Sequence, residues 1–246
     1  MPILGVIPAR YASTRFPGKP LADIHGQSMI RRVYTQACQA RLLDEVVVAT
    51  DDARIYAHVE AFGGQVEMTA DTHRSGTERC AEIVLRRTGY DHYVNIQGDE
   101  PYIDPAQLDQ LCTLLRAGAP IATLASPLHD PAQLLNPGVI KVVLDHSDHA
   151  LYFSRAAIPY CRDQADIHAW PDHAPYYRHI GIYGFAREVL LRIPDLTPSP
   201  LEVAESLEQL RWLAHGLRIR VGHSTHAAFS VDTPEDLARL LRETQP

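Results

Sequence analysis

No stretch of this sequence approaches the roughly 20 consecutive apolar residues that cross a bilayer, so no membrane-spanning helix is expected. The first apolar run, residues 3–7, is short and stopped by Pro8, which excludes the ordinary secretory signal pattern and points to a cytoplasmic protein. Cysteine is sparse. Cys38, Cys80, Cys112 and Cys161 lie far apart, without the paired spacing that zinc or dithiol chemistry needs. The first three sit in helical patterns beside apolar residues and are expected to be buried free thiols. No GxxxxGK[ST] occurs, and no GxGxxG follows the first strand, so a Walker-type NTPase and a dinucleotide dehydrogenase are both disfavoured. Positive charge is in deficit. A formal net charge of −7 argues against general nucleic-acid binding. The histidines are scattered and form no HExxH-like pair.

What remains is an ordinary globular profile, with 246 residues, 46% apolar and 22% charged. In the first half, short apolar runs at 3–7, 45–49, 65–68, 92–96 and 121–125 read as strands. Amphipathic patterns at 29–40, 53–62, 76–87 and 105–116 read as the helices between them. This alternation predicts an α/β fold with a mostly parallel sheet covered on both faces. Gly63 and Gly64 form a helix stop, and Asp51 and Asp52 stand where a helix N-terminus favours negative charge. The second half is less regular. Strands are expected at 139–144, 151–153, 179–185 and 218–221, a polar turn at 145–149, and helices at 187–192, 201–215 and from Pro234 onward. Residues 159–175, rich in His, Asp and Pro, read as a loop. No repeat or linker divides the chain, so one globular unit with an embedded subregion is expected.

Two segments carry the chemistry. The first, IPARYASTRFPGK at residues 7–19, follows the first strand and places Arg10, Arg15 and Lys19 in a stretch too broken by proline and glycine to be helical. A strand that empties into a fixed loop of backbone N–H groups and cations suits a polyphosphate. Arginine grips phosphate oxygens in a fork and lysine acts as a point charge. The second, NIQGDEP at 95–101, puts Gln97 and Asp99 at the carboxyl end of a strand, where open α/β sheets place ligands. Gly98 permits a tight turn there. An aspartate beside a triphosphate is a natural Mg²⁺ ligand, although a turn or cap role is open to Asp99 as well. Asp232 precedes Thr233 and Pro234, a good helix start, and on its own reads as structural.

These segments, together with VATD at 48–51, SGTER at 75–79, LYFSRA at 151–156, HIGIYG at 179–184, ESLEQLR at 205–211 and VDTPED at 231–236, resemble the 3-deoxy-manno-octulosonate cytidylyltransferase family in the same order and over nearly the full length. The resemblance implies a Rossmann-like α/β domain of the nucleotide-diphospho-sugar transferase type, acting as a homodimer. It would occupy 1–246, with a core of about 1–130 and 185–246 and an acceptor or dimerisation insertion of about 131–184. The implied reaction transfers CMP from CTP to the anomeric hydroxyl of 3-deoxy-D-manno-octulosonate (Kdo). Pyrophosphate is released, and the activated sugar serves lipopolysaccharide biosynthesis.

By the same resemblance Arg10, Arg15 and Lys19 hold the triphosphate, Ala9 and its neighbours seat the nucleotide, and Ser75 and Gly76 line the cytosine or ribose pocket. Asp99 and Asp232 become Mg²⁺ ligands, with Asp99 counted among the catalytic residues beside the three cations. The acceptor residues are Gln97, Arg155, His179, Tyr183, Glu208 and Gln209. Arg155 would pair with the sugar carboxylate and the others would read hydroxyls. Read without the resemblance, Tyr183 is open to core packing, Arg155 to a surface ion pair, Glu208 and Gln209 to an exposed helix face, and His179 to an ordinary hydrogen bond. Two departures stand out: Ser230 where glycine is usual, and Arg74 where glutamine or a similar polar residue is common. Rival readings are a cytidylyltransferase for 8-amino-Kdo or a sialic acid, and a nucleotide-binding regulator without chemistry.

Overall fold

The computed structural model describes residues 1–12, 15–226 and 229–244. Ser13 and Thr14, inside the first motif, lie outside them. The first half alternates strand and helix as the periodicity predicts. Strand β1 (Ile3–Ala9) leads through a short 3-10 turn at Lys19–Leu21 and a small hairpin, β2 (Asp23–Ile24) and β3 (Gln27–Ser28), into α1 (Met29–Ala37). There follow β4 (Glu45–Thr50), α2 (Ala53–Ala61), β5 (Val66–Met68), α3 (Gly76–Arg86), β6 (His92–Asn95), α4 (Pro105–Arg116) and β7 (Ile121–Pro127). The excursion after β7 contains α5 (Pro131–Leu135), β8 (Lys141–Leu144), β9 (Ala150–Ser154) and α6 (Trp170–His173). The chain returns along β10 (Tyr177–Ala186) and α7 (Arg187–Arg192). It ends through α8 (Pro200–Glu205), α9 (Gln209–Ala214), β11 (Ile219–His223) and α10 (Pro234–Glu243).

The main sheet runs β11-β7-β10-β6-β1-β4-β5, with β8 on β10 and β9 on β8. β1 pairs parallel with both β4 and β6, β4 with β5, and β7 with β11. The central sheet is therefore mainly parallel, as expected, while β10 within it and β9 beyond β8 run the opposite way. β10 is antiparallel to β6 and β7 on either side. Residues 182–186 are buried on both faces, and a run of that kind carries no sign of direction.

Strand alternation divides the core. Leu4, Val6, Tyr93, Phe185 and Trp212 pack on the face covered by α3, α7 and α9. Ile3, Ile7, Val48, Val94 and Leu111 pack on the face covered by α1, α2 and α4.

Several local expectations change. The helix predicted over 201–215 is two helices, because Ser206 adopts φ 51° and ends α8. The Arg155 guanidinium takes the carbonyls of Glu205 and Ser206 at that break. The 159–175 loop is partly structured: Trp170 is buried in a small core with Leu128, Leu134 and Tyr176. Cys38 is exposed rather than buried, since it follows the last turn of α1 beyond its apolar stripe, while Cys80 and Cys112 are buried. Of the acidic pair, only Asp52 caps α2; Asp51 instead pairs with Arg79. Gly63 ends that helix at φ 79°, as its sequence position predicts.

Gly184 of β10 faces α4, and a Cβ there would stand 2.7 Å from Cδ1 and 3.1 Å from Cγ of the buried Leu115. Gly184→Ala is expected to destabilise the fold by about 1–3 kcal/mol through overpacking. In urea the unfolding midpoint should fall with the slope unchanged; an unchanged midpoint would mean that Leu115 moves aside freely.

Candidate active site

The carboxyl ends of β1 and β6 and the start of α3 meet at one edge of the sheet. They meet closely, and glycine permits it. A Cβ on Gly98 would lie 3.0 Å from the carbonyl oxygen of Pro8, and one on Gly76 would lie 3.0 Å from Pro8 Cγ. The cleft above this junction has a volume of about 310 Å³. Its walls include Ala9, Arg10, Arg15 and Lys19 from the first motif, Ser75 and Gly76 from the start of α3, and Gln97, Asp99 and Asp232. Every residue that the sequence assigned to nucleotide or metal is thus in one place.

Charge within the cleft is paired. Lys19 Nζ donates to Asp99 Oδ2 at 2.7 Å and to the Val231 carbonyl at 2.9 Å, and lies 3.6 Å from Asp232 Oδ1. Arg15 reaches the same Asp232 oxygen at 3.1 Å from the solvent side. Backbone geometry sets this up. Gly18, at φ 74°, turns the loop back so that its N–H bonds to the Tyr11 carbonyl, and Lys19 follows directly. The Arg54 guanidinium sits 3.3 Å from the centroid of the Tyr11 ring and is held by Asp52. On the other side, the Val231 N–H donates to the Asp99 carbonyl at 2.9 Å, which brings Asp232 beside Asp99. The Thr233–Asp236 capping box fixes the following turn, with Asp236 also accepting from the Asp232 N–H. Asp232 is therefore both next to a helix cap and part of the cleft.

The acceptor candidates form a second, adjoining group. Glu208 accepts from Ser75 Oγ at 3.0 Å and from Thr77 Oγ1 at 2.8 Å, so it touches the wall of the nucleotide cleft. Burial pushes its carboxyl up from the ordinary glutamate range, against the pull of those two hydroxyls. Gln209 is buried at the start of α9, not on an exposed helix face. Gln97 donates to the Gly181 carbonyl at 2.9 Å, linking the end of β6 to β10. His179 and Tyr183 stand on one face of β10 with ring centroids 5.3 Å apart. Burial lowers the His179 imidazole to about 3. The Tyr183 hydroxyl is buried beside Thr123, which favours its ionised form, but makes no hydrogen bond of good geometry among the described residues. Burial, aided by the nearby Glu208, raises it well above the usual phenol value.

Arg155 is placed differently from the others. Its guanidinium donates to the carbonyls of Glu205 (2.7 Å), Pro137 (2.9 Å) and Ser206 (3.4 Å). The buried Lys141 ammonium in turn holds the Arg155 carbonyl at 2.5 Å. A larger hollow of about 970 Å³ lies beyond Ser75 and is lined by Arg74, Glu208 and Arg211 among others.

Two charged or titratable cleft residues escaped the sequence reading, His73, which meets Glu82, and Arg79. Arg79 is 3% exposed at the cleft floor, where it pairs with Asp51 at 2.8 Å and donates to Thr69 and the Ala70 carbonyl. The available signal was an arginine four residues after Ser75, on the helix that opens at the cleft.

Comparison with known proteins agrees with this geometry. The cytidylyltransferase family profile matches residues 4–219. The 3-deoxy-manno-octulosonate cytidylyltransferase of Parabacteroides distasonis is 51% identical over 98% of this chain and 97% of its own. That of Cytophaga hutchinsonii is 46% identical over 97% and 96%. A solved structure of CMP:2-keto-3-deoxy-manno-octonic acid synthetase complexed with CTP superposes with a TM-score of 0.92 and 42% identity, covering 99% of this chain and 98% of that one. With its profile, near full-length identity and overall shape in agreement, the chain belongs to the 3-deoxy-manno-octulosonate cytidylyltransferase family.

Proposed function

We propose that this protein transfers CMP from CTP to the anomeric hydroxyl of Kdo and releases pyrophosphate. The observation that carries the reading is the meeting of Lys19 with Asp99 and Asp232 in a cleft walled by Arg10, Arg15 and the start of α3. The cations and the helix N-terminus suit a triphosphate. The two carboxylates offer hard oxygen donors for Mg²⁺, an ion that takes one or two carboxylates and completes its shell with phosphate and water. Bound there, Mg²⁺ would neutralise charge on the reacting phosphate and ease deprotonation of the attacking hydroxyl.

In this reading Arg10, Arg15 and Lys19 hold the triphosphate, while Ala9, Ser75 and Gly76 seat the nucleoside. The sugar hydroxyl attacks the α-phosphorus in line, the new P–O bond forms, and the bond to the pyrophosphate oxygen breaks. Positioning and charge stabilisation carry such a transfer, with little covalent work for the protein. Arg15 and Lys19 stand where charge grows on the leaving pyrophosphate. Gln97, His179, Tyr183, Glu208 and Gln209 read the sugar. Arg155 has five N–H donors, of which its three carbonyl contacts leave two for the sugar carboxylate.

We further assign residues of about 131–184 to acceptor binding and dimerisation, with the core at about 1–130 and 185–246. The product would enter lipopolysaccharide synthesis in the cytoplasm. A homodimer belongs to the same reading.

Pyrophosphate release, measured with CTP and Mg²⁺ against Kdo, 8-amino-Kdo and N-acetylneuraminate, tests the function. Release with Kdo alone, lost on chelation, is expected. Release only with another sugar acid would overturn the acceptor assignment, and CTP binding without release would favour a regulator. Asp99→Asn is expected to lower kcat at least ~100-fold while CTP affinity changes less than about threefold; equal losses in both would remove Asp99 from the metal site. Sedimentation should return a dimer; a monomer at every concentration would remove the dimer from this reading.

His179 gives a pH prediction. Its folded-state value, about 3, lies below the ordinary 6.5, so protons bind the unfolded chain first. The stability it supports is complete above 6.5 and is lost as pH falls toward 3. Wild type should thus lose more stability than His179→Gln between about pH 7 and pH 5. Parallel curves would show that His179 titrates normally.

A further inference from the structure

β10 carries an irregularity beside the acceptor group. Its register against β7 steps from Ile180↔Leu124 to Tyr183↔Thr123, so Gly181 and Ile182 have no partner on β7. Two extra residues preserve the alternation and leave His179 and Tyr183 on one face. Thr123, fully buried, turns its hydroxyl into this gap. Oγ1 lies 2.8 Å from the Ile182 carbonyl, 3.2 Å from the Ile180 carbonyl and 3.0 Å from His179 Nε2.

A threonine hydroxyl has one proton to give, and a carbonyl oxygen can only accept. That proton belongs to a carbonyl, so the contact with the imidazole is a hydrogen bond only when Nε2 carries the ring proton. Burial keeps the ring neutral, and a neutral ring protonated at Nε2 has a bare acceptor at Nδ1. Nδ1 has no protein partner among the described residues. The rings of Phe153, 4.9 Å away edge-on, and Tyr183, 5.3 Å away, hold the imidazole in this orientation.

We propose that Thr123 is a positioning residue that fixes His179 as the Nε2–H tautomer, so that Nδ1 is presented as an acceptor to a hydroxyl of the acid sugar. This rests on the reading of His179 as an acceptor-site residue and adds the sense of the hydrogen bond.

The test combines long-range ¹H–¹⁵N spectra of protein labelled at histidine with steady-state kinetics on wild type, Thr123→Val and Thr123→Ser. His179→Gln identifies the resonance. Wild type should show His179 protonated at Nε2 and bare at Nδ1. Thr123→Val should give a tautomer mixture and raise KM for Kdo about three- to tenfold, the effect of one neutral hydrogen bond, with KM for CTP unchanged. Thr123→Ser should restore both. A proton on Nδ1 in wild type overturns the proposal. So does Thr123→Val with an unaltered tautomer, a parallel rise in both KM values, or a loss that serine does not repair. The spectra need no substrate, so wild type inactive with CTP and Kdo would defeat the functional reading while the tautomer was still decided.

Discussion

The cleft depends on β1 lying between two parallel neighbours. Because β4 and β6 run in its direction on either side, the carboxyl ends of the three strands open at the same edge. The first motif, the Gln97–Asp99 turn and the Thr50–Asp51 turn must then face one another. The spacing is tight, as the contacts awaiting a Cβ on Gly76 and Gly98 show. Pro8 is the common neighbour of both glycines. A proline is tolerated there at the end of a central strand because the ladder on that side is finishing.

Electrostatics then decides what the edge can hold. The chain carries a formal charge of −7, yet cations line the cleft. In the free protein Lys19 and Arg15 are engaged with Asp99 and Asp232. The Arg15 contact is exposed and contributes little to stability. The Lys19 contact is more enclosed, at 16% and 23% side-chain exposure for its two partners. Its value is positional, since it ties the N-terminal loop, the β6 turn and the segment before α10 at one ammonium. The same pairing keeps two carboxylates and two cations together at one edge of the sheet.

Much of this was legible in the sequence, for identifiable reasons. Strands with continuous apolar runs, such as β1 and β4, and a helix with a clear stop, such as α2 before Gly63, follow from periodicity and local turn chemistry alone. So does the presence of Arg10, Arg15, Lys19, Gln97 and Asp99 near a strand end. Other features need tertiary knowledge. The direction of β10 is not encoded in its composition, because both faces are buried. The break at Ser206 depends on Arg155, some fifty residues earlier, satisfying the carbonyls it frees. Asp232 is indistinguishable from a cap neighbour until Val231 pairs with Asp99. Arg79 and Asp51 lie on different elements, and neither motif predicts their ion pair.

The reversed strand accounts for where His179 and Tyr183 sit. An all-parallel sheet would have needed a further crossover to bring β10 in between β6 and β7. With β10 antiparallel, the chain can instead enter from the β8–β9 excursion and pass directly beside the cleft. The irregularity at Gly181 and Ile182 then directs carbonyls to both neighbouring strands. Gln97 at the end of β6 takes Gly181, and Thr123 of β7 takes Ile180 and Ile182. One bulge thereby links Gln97 at the cleft to Thr123 and the His179 ring. Glu208, held by Ser75 and Thr77 at the start of α3, makes a second such link from the opposite wall. The cleft and the His179–Tyr183 group thus share hydrogen-bonded walls, the arrangement that the proposed in-line transfer between two bound molecules would need.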